Sequence, residues 1–302
     1  MARAWNIPVI SPRGNTRIIR NTTVFPNIIS LHPYDKYELV RFTAYLLELY
    51  EWQHITIFVD MDNRLLEATG DSYYSYLQTS DLFWSYIPVY TKTFTNKDYD
   101  DKLREASLTS RVFVLVMETD NVRQFMVRAN RMKMTTGEYV YIVPEFLGLA
   151  RISSDVWRRR DGKDREARQG FRSVLYINIM SPPLSVYDNI LERLSHKVFG
   201  VASRKYLTAM INEDDTAAAE EVQQTILTGY YNAFMMYLQV ANETIARGGN
   251  LRDGVGIVRA ISNRTFQGVA GPFHINIDGH KDTDMALVDM TDPWNGTFEV
   301  PE

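Results

Sequence analysis

The chain has 302 residues, of which 45% are hydrophobic and 12% aromatic, and its formal net charge is −4. This length and apolar content allow a large core and two lobes, and the mild charge gives no reason to expect nucleic acid or an anionic membrane as partner. Cysteine is absent, which excludes thiol catalysis, disulfides and cysteine-ligated zinc.

Five short apolar runs predict strands that are buried on both faces of a parallel sheet. In chain order they are IPVIS at 7–11, ITIFVD at 55–60, VFVLVME at 112–118, YVYIVPE at 139–145 and SVLYINI at 173–179. Amphipathic stretches predict helices at 37–51, 63–77, 98–108 and 121–132. The alternation indicates βαβ units, so we expect an α/β fold with parallel sheets flanked by helices.

Helices dominate the pattern after residue 180. One is predicted at 184–199, a long one from Thr216 to a glycine cap at Gly248-Gly249, and a short one at 251–261. Alternating apolar residues at 273–277 and 285–290 then predict a hairpin. We expect this hairpin to join the sheet built from residues 55–179. Its alternating apolar side chains lie on one face, and that face must be covered by a sheet or a helix.

The apex of that hairpin carries alternating polar residues that resemble a set of metal ligands. Asp278, His280, Asp282 and Asp284 follow one another at every second position. Asp, Gly, His and Lys are also the residues of a solvated turn, and the spacing of a calcium loop with its distal glutamate is missing. We therefore predict a turn, with no metal and no cofactor.

Catalytic motifs do not emerge from the sequence. The chain has five histidines, no Gly-x-Ser-x-Gly and no His-Glu-x-x-His. His54 precedes a predicted strand, where packing or capping is the favoured role. The glycines at 248–256 follow a helix instead of a strand, so a phosphate-binding loop is not indicated. We do not expect this chain to be an enzyme.

A basic run lies between two predicted strands. Arg158-Arg159-Arg160 is continued by Lys163, Arg165 and Arg168, and Asp161, Asp164 and Glu166 are interleaved with it. The favoured interpretation is the solvated start of a helix, and an anion site is the alternative.

Polar residues follow the predicted strands at their carboxyl ends, where ligands bind in open α/β sheets. Each of them could instead cap the next helix. The candidate ligand-binding residues are Ser11, Arg13, Tyr34, Asp35, Asp60, Asp62, Glu118 and Glu145.

The cellular compartment is indicated in two opposite ways. Four glycosylation sequons, at Asn21, Asn242, Asn263 and Asn295, favour the secretory pathway. The lack of cysteine favours a reducing compartment. The N-terminus MARAWNIPVISPRGN has no apolar segment typical of a signal peptide, and no run of roughly eighteen apolar residues predicts a membrane span.

The C-terminal stretch FQGVAGPFHINIDGHKDTDMALVDM resembles the receptor family ligand-binding region of natriuretic peptide receptors and membrane guanylate cyclases. That family has a Phe-x-Gly-Val-x-Gly motif, which Phe266, Gly268, Val269 and Gly271 match. Residues 278–281 stand where the family usually has Asn-Gly-Asp-Arg. AWNIPVIS, LLELYEWQHITIFVD and GYYNAFMMYLQVANETI agree as well, and the spacing is most similar to nematode receptor guanylate cyclases.

The resemblance implies a type I periplasmic-binding-protein fold of two α/β lobes. Residues 1–35 and 180–265 would form the membrane-distal lobe, and residues 36–179 and 266–302 the membrane-proximal lobe. The first βα units of the family's domain, with its cysteines and signal peptide, would be missing from this chain, which reconciles the sequons with the lack of cysteine.

The implied function is binding of an extracellular peptide or small molecule on the outer face of the plasma membrane. The full receptor, a single-pass protein and a homodimer without nucleic acid, would couple binding to cGMP synthesis by domains outside this chain. Two alternatives remain. One is another receptor or a soluble solute-binding protein on the same fold, and the other is a cytosolic α/β enzyme.

Overall fold

The computed structural model describes residues 3–12, 21–32, 36–144, 156–179, 216–269 and 271–300. In chain order the strands are β1 (Val9–Ser11), β2 (Ile28–Ser30), β3 (His54–Asp60), β4 (Phe83–Val89), β5 (Val112–Val116), β6 (Val140–Pro144), β7 (Val174–Ile179), β8 (Arg264–Gly268), β9 (Gly271–Ile275), β10 (Met285–Asp292) and β11 (Thr297–Glu299). The helices are α1 (Lys36–Leu49), α2 (Arg64–Leu77), α3 (Asn96–Ser107), α4 (Thr119–Arg131), α5 (Asp164–Phe171), α6 (Thr216–Ala246) and α7 (Gly254–Ile261). The helix predicted at 184–199 lies outside the described residues.

The chain divides into two compact units. The first unit comprises Met1–Asp35, Leu147–Leu149 and Met180–Asp284, and the second comprises Lys36–Phe146, Ala150–Ile179 and Met285–Glu302. The last change of unit follows Asp284, whereas the sequence placed it after residue 265. Residues 266–284 therefore lie in the first unit.

A seven-stranded sheet forms the centre of the second unit, in the order β11-β10-β7-β6-β5-β3-β4. The strands from β3 to β7 are parallel, and β10 and β11 add an antiparallel edge. Helices α1 to α5 belong to the same unit. The predicted α/β fold with a mostly parallel sheet flanked by helices is confirmed.

Both faces of this sheet are buried. On one face Phe58 of β3 packs edge-on against Phe113 of β5 and Phe125 of α4, at ring-centroid distances of 5.7 and 4.9 Å. On the other face Ile57 and Val59 belong to a second core that also contains side chains of α1 and α2. Because successive residues of β3 enter different cores, the strand reads as a continuous apolar run.

Strand β4 was not predicted, and neither were the short strands β2, β8 and β11. The sequence of β4, FWSYIPV, is interrupted by Ser85 and Pro88. In the structure β4 is the last strand of the sheet and pairs with β3 on one side, and Phe83 at its start is 64% exposed. An edge strand tolerates proline and polar residues, so its pattern is weaker than that of a central strand.

The first unit is described from shorter elements. β1 pairs with β2 in parallel, and β8 pairs with β9 antiparallel. Ile29, Met236, Val240 and Ile257 are among the buried residues of its core. Helix α6 ends as predicted at glycine, since Gly248 has a φ of +71° and the Gly249 amide donates to the Thr244 carbonyl at 2.8 Å.

The predicted hairpin is wrong in its pairing. β9 pairs with β8, with Phe266 opposite Phe273, and only β10 joins the large sheet, with Met285 opposite Ile179. The run RTFQG was not predicted as a strand, so the alternating run at 273–277 was paired with 285–290 instead of with β8. The two halves of the expected hairpin belong to different units.

The turn at its apex is confirmed. The Asn276 side-chain oxygen accepts hydrogen bonds from the Asp278 and His280 amides at 3.1 and 3.0 Å, and Gly279 has a φ of +80°. These are the bonds of a local polar turn. Within the described part of the chain, none of the helices has the length and apolarity needed to cross a membrane.

Candidate ligand site

Polar side chains gather at the carboxyl edge of the second unit's sheet. Asp60 is the last residue of β3, Asp62 follows it by two positions, and Glu118 lies two positions beyond the end of β5. Strands β4, β3 and β5 are adjacent and parallel, so the loops that follow them meet at one edge. The structure therefore brings these three predicted residues together.

Asp60 is the buried member of the group, with 1% of its surface exposed. One carboxylate oxygen accepts from the Asp62 amide at 3.0 Å, and the other accepts from Thr91 Oγ1 at 2.9 Å and Asn121 Nδ2 at 3.3 Å. Burial raises the pKa of Asp60, the hydrogen bonds oppose this shift, and the charges of Asp62 and Glu118 add to it.

Asp62 and Glu118 are tied to neighbouring loops. Asp62 Oδ2 accepts from the Lys92 amide at 2.8 Å. Asn63 caps α2 by accepting from the Leu65 amide at 2.9 Å, and its Nδ2 donates to Glu118 Oε1 at 2.7 Å. The loops after β3, β4 and β5 are thus joined by side-chain and backbone hydrogen bonds.

The capping alternative fails for Glu118. It is the residue before α4, but its side chain makes no capping hydrogen bond there. Its carboxylate contacts Asn63 instead. Glu118 is exposed and Asp62 is half-buried, so both carboxylates are open to solvent at the edge where Asp60 is enclosed.

Tyr99 of α3 is a further member that the sequence did not suggest. Its hydroxyl is buried and has no hydrogen-bond partner among the described residues. Burial raises the pKa of Tyr99 to about 12, and the nearby charges of Asp60 and Asp62 contribute to the rise. A buried hydroxyl without a partner is a costly feature beside a polar cluster.

Other members were missed for a simple reason. Thr91 and Lys92 follow β4, and recognition of that strand would have placed them at the same edge. Asn63 immediately precedes α2, and Asn121 lies in the first turn of α4. At such positions the sequence favours a role in helix capping.

Of the remaining candidates, only Ser11 is among the described residues. Ser11 ends β1 in the first unit, where its carbonyl accepts from the Leu31 amide at 2.8 Å. The other four, Arg13, Tyr34, Asp35 and Glu145, lie outside the described residues.

The cluster consists of polar and acidic side chains. It offers three carboxylates and two side-chain amides, and among the described residues there is no group of three or more His, Asp or Glu residues arranged for a metal. At the predicted turn, His274 Nδ1 lies 2.6 Å from Asp282 Oδ2. His54 stacks on Phe83 with ring centroids 4.7 Å apart, in keeping with a packing role.

The four sequon asparagines all lie on the surface. Asn21, Asn242, Asn263 and Asn295 are exposed. Asn263 follows α7 and has a φ of +54°, Asn295 lies in the turn between β10 and β11, and Asn242 lies within α6.

Comparison with known proteins identifies the family. Residues 1–292 match the family described as "Receptor family ligand binding region". The chain is 26% identical over 234 residues to "Atrial natriuretic peptide receptor 3" of Homo sapiens, covering 78% of this chain and 38% of that protein. Its counterpart in Mus musculus is 29% identical over 203 residues, covering 67% of this chain and 35% of that protein.

A cyclase is among the relatives too. "Receptor-type guanylate cyclase gcy-28" of Caenorhabditis elegans is 29% identical over 203 residues, covering 66% of this chain and 15% of that protein. The chain thus spans well under half the length of these relatives. The match across residues 1–292, together with the parallel α/β sheet, means that the chain belongs to the receptor family ligand-binding region.

Proposed function

We propose that this chain is the extracellular ligand-binding region of a membrane receptor. Its ligand is a peptide or a small molecule, and binding regulates a guanylate cyclase domain that lies outside the chain. The family match over residues 1–292 supports the binding role. The names of the relatives, which include natriuretic peptide receptors and a receptor-type guanylate cyclase, support the ligand class and the output.

We propose further that ligand contacts the carboxyl edge of the second unit. The observation that carries this is the buried Asp60, whose raised pKa reflects a carboxyl enclosed beside two other carboxylates. A residue that served folding alone would be better neutral or apolar, because an enclosed carboxylate costs stability. Ser11, Arg13, Tyr34, Asp35 and Glu145 stay proposed ligand-binding residues on the pattern of the sequence.

The wider architecture belongs to the same proposal. The first unit is the membrane-distal lobe, the second is the membrane-proximal lobe, and the full receptor is a homodimer that binds no nucleic acid. The sequons at Asn21, Asn242, Asn263 and Asn295 fit passage through the secretory pathway.

Binding of atrial natriuretic peptide, the peptide in the relatives' names, tests the site. We expect the 302-residue chain to bind the labelled peptide, and Asp62→Asn with Glu118→Gln to weaken binding by about tenfold, or about 1.4 kcal/mol. These changes keep the side-chain shape and remove two carboxylates.

Glu105→Gln is the matched control, because Glu105 is 59% exposed on α3 and pairs with Lys102 of the same helix. It should leave affinity unchanged. Equal affinity of the wild type and the double variant would contradict the proposed site. A wild-type chain that does not bind the peptide would contradict the peptide class.

A further inference from the structure

The segment 158–172 is basic, with seven Lys and Arg residues and three carboxylates. Two of the carboxylates are committed to a buried arginine of α4. Arg123 is 7% exposed, and its guanidinium donates to Asp161 at 2.9 and 2.6 Å and to Asp164 at 3.0 Å. Its Nε also donates to the Trp157 carbonyl at 2.6 Å. Asp161 and Asp164, which lie within the basic run, therefore bind a buried arginine and do not neutralise the exposed cations beside them.

The third carboxylate is committed as well. Glu166 pairs with Arg131 of α4, with Nε and Oε2 at 2.5 Å. Within the run, Arg159 pairs with Asp120 at 2.6 Å. Four exposed cations, Arg160, Lys163, Arg165 and Arg172, form no ion pair with a described carboxylate.

Helix α5 places Arg165 and Arg172 in a row with Arg168, while Arg160 and Lys163 come just before the helix. Ala167, Gly170 and Phe171 are buried against the unit. Arg165, Arg168 and Arg172 have the spacing i, i+3, i+7 and share the opposite face, with about 5 Å of helix rise between successive charges. We call the five residues Arg160, Lys163, Arg165, Arg168 and Arg172 the cationic stripe.

The middle of the stripe is held in place. Arg168 lies over the Trp157 ring, with its guanidinium carbon 5.7 Å from the centroid, and it donates to the Trp294 carbonyl. Trp157 is itself fixed, since its Nε1 donates to the Gly296 carbonyl at 2.9 Å. One member of the stripe, Arg168, is therefore held against packed side chains, and the other four extend into solvent.

The chemical class of the ligand that the cationic stripe binds follows from its guanidinium groups and from its lack of a broad apolar face. No large hydrophobic residue is exposed in residues 156–172, and Trp294, whose carbonyl Arg168 contacts, is 85% exposed. Helix α5 therefore lacks the broad apolar face with which helices enter a lipid interface. Guanidinium groups bind oxyanions through paired hydrogen bonds, and a row of them matches charges repeated along a polymer.

We propose that the cationic stripe binds a linear sulfated polysaccharide of the cell surface. The inference rests on the proposed extracellular location, where sulfated sugars are the polyanions that such a row would meet. It is separate from the acidic edge at Asp60, whose charge has the opposite sign.

Heparin oligosaccharide is the probe. We expect the chain, produced without glycans, to bind labelled heparin at about 0.15 M salt and release it as salt rises, because exposed charges are screened. Arg165→Gln with Arg172→Gln should weaken binding about tenfold, and the matching pair of Lys substitutions should retain most of it. Lys102→Gln with Arg104→Gln on α3 removes the same charge elsewhere and should change affinity less than twofold.

Each contrary result is decisive. Equal loss in the α3 control would mean non-specific attraction, and wild-type binding to desulfated oligosaccharide or to vesicles of anionic lipid at the same strength would overturn the proposed partner. A wild-type chain that binds heparin but not the natriuretic peptide would contradict the proposed peptide ligand and would leave the polysaccharide proposal standing. Circular dichroism of each variant verifies folding.

Discussion

Asp60 has an environment that makes the stability of the protein depend on pH. Its carboxylate is enclosed, accepts three hydrogen bonds and lies near two further carboxylates. Its pKa in the folded state is raised above 3.8, so the folded state binds the proton more tightly than the unfolded chain does.

We predict a pH-dependent stability difference between the wild type and Asp60→Asn. As pH falls through the raised folded pKa toward 3.8, protonation stabilises the folded wild type, and the variant lacks this gain. The free energy of unfolding of the wild type minus that of the variant should therefore increase on acidification. Urea titrations between pH 7 and pH 4 measure it, and a difference that is constant or decreases would refute the shift.

Glycosylation is also decided at single residues. We predict glycans on Asn263 and Asn295 when the receptor is secreted, because both are exposed and lie outside helices. Asn295 Nδ2 donates to Asp292 Oδ2 at 2.7 Å, and one of its two N–H groups stays available. Asn263→Gln and Asn295→Gln should each increase electrophoretic mobility, and Asn242→Gln, within α6, should not. A secreted protein whose mobility is insensitive to glycosidase would contradict this prediction.

Among the elements, α3 begins with a reciprocal cap that can be tested. Asp98 Oδ2 accepts from the Thr95 amide at 2.6 Å, and Thr95 Oγ1 accepts from the Asp98 amide at 3.4 Å. We predict that Thr95→Ala lowers the free energy of unfolding by about 1 kcal/mol, because it leaves the Asp98 amide at the start of the helix without its side-chain partner. Thr136→Ala, at an exposed threonine outside the helices, should cost less than about 0.5 kcal/mol. Similar losses for the two variants in urea unfolding would mean that the cap contributes nothing.

The two units differ in the extent of their buried cores. The second has two cores around a seven-stranded sheet, and the described strands of the first form two-stranded sheets. On α6 of the first unit, Tyr230, Phe234 and Ile245 are 51%, 62% and 59% exposed. Less enclosed structure opens more readily to solvent.

We predict that amides of the first unit exchange hydrogen faster than those of the second. The slowest amides should be those of the central strands β3, β5 and β6, whose side chains are buried on both faces. Hydrogen exchange followed by mass spectrometry of peptides from each unit measures the difference. Equal protection of β1, β2, β8 and β9 would contradict it.

The sequence alone determined the parallel α/β sheet, because β3, β5, β6 and β7 are buried on both faces and are therefore mostly apolar along their length. It also placed Asp60, Asp62 and Glu118 at strand ends, where parallel topology brings them together.

The tertiary structure decided those features that depend on which elements become neighbours in the fold. β4 lies at the sheet edge and has no continuous apolar run, so Thr91 and Lys92 were not foreseen. An alternating strand such as β9 carries no mark of its partner, so its pairing with β8 and its place in the first unit appear only when the chain is folded. The same is true of Asp161 and Asp164, which look like solvated acids in the sequence and bind the buried Arg123 because folding brings α4 beside them.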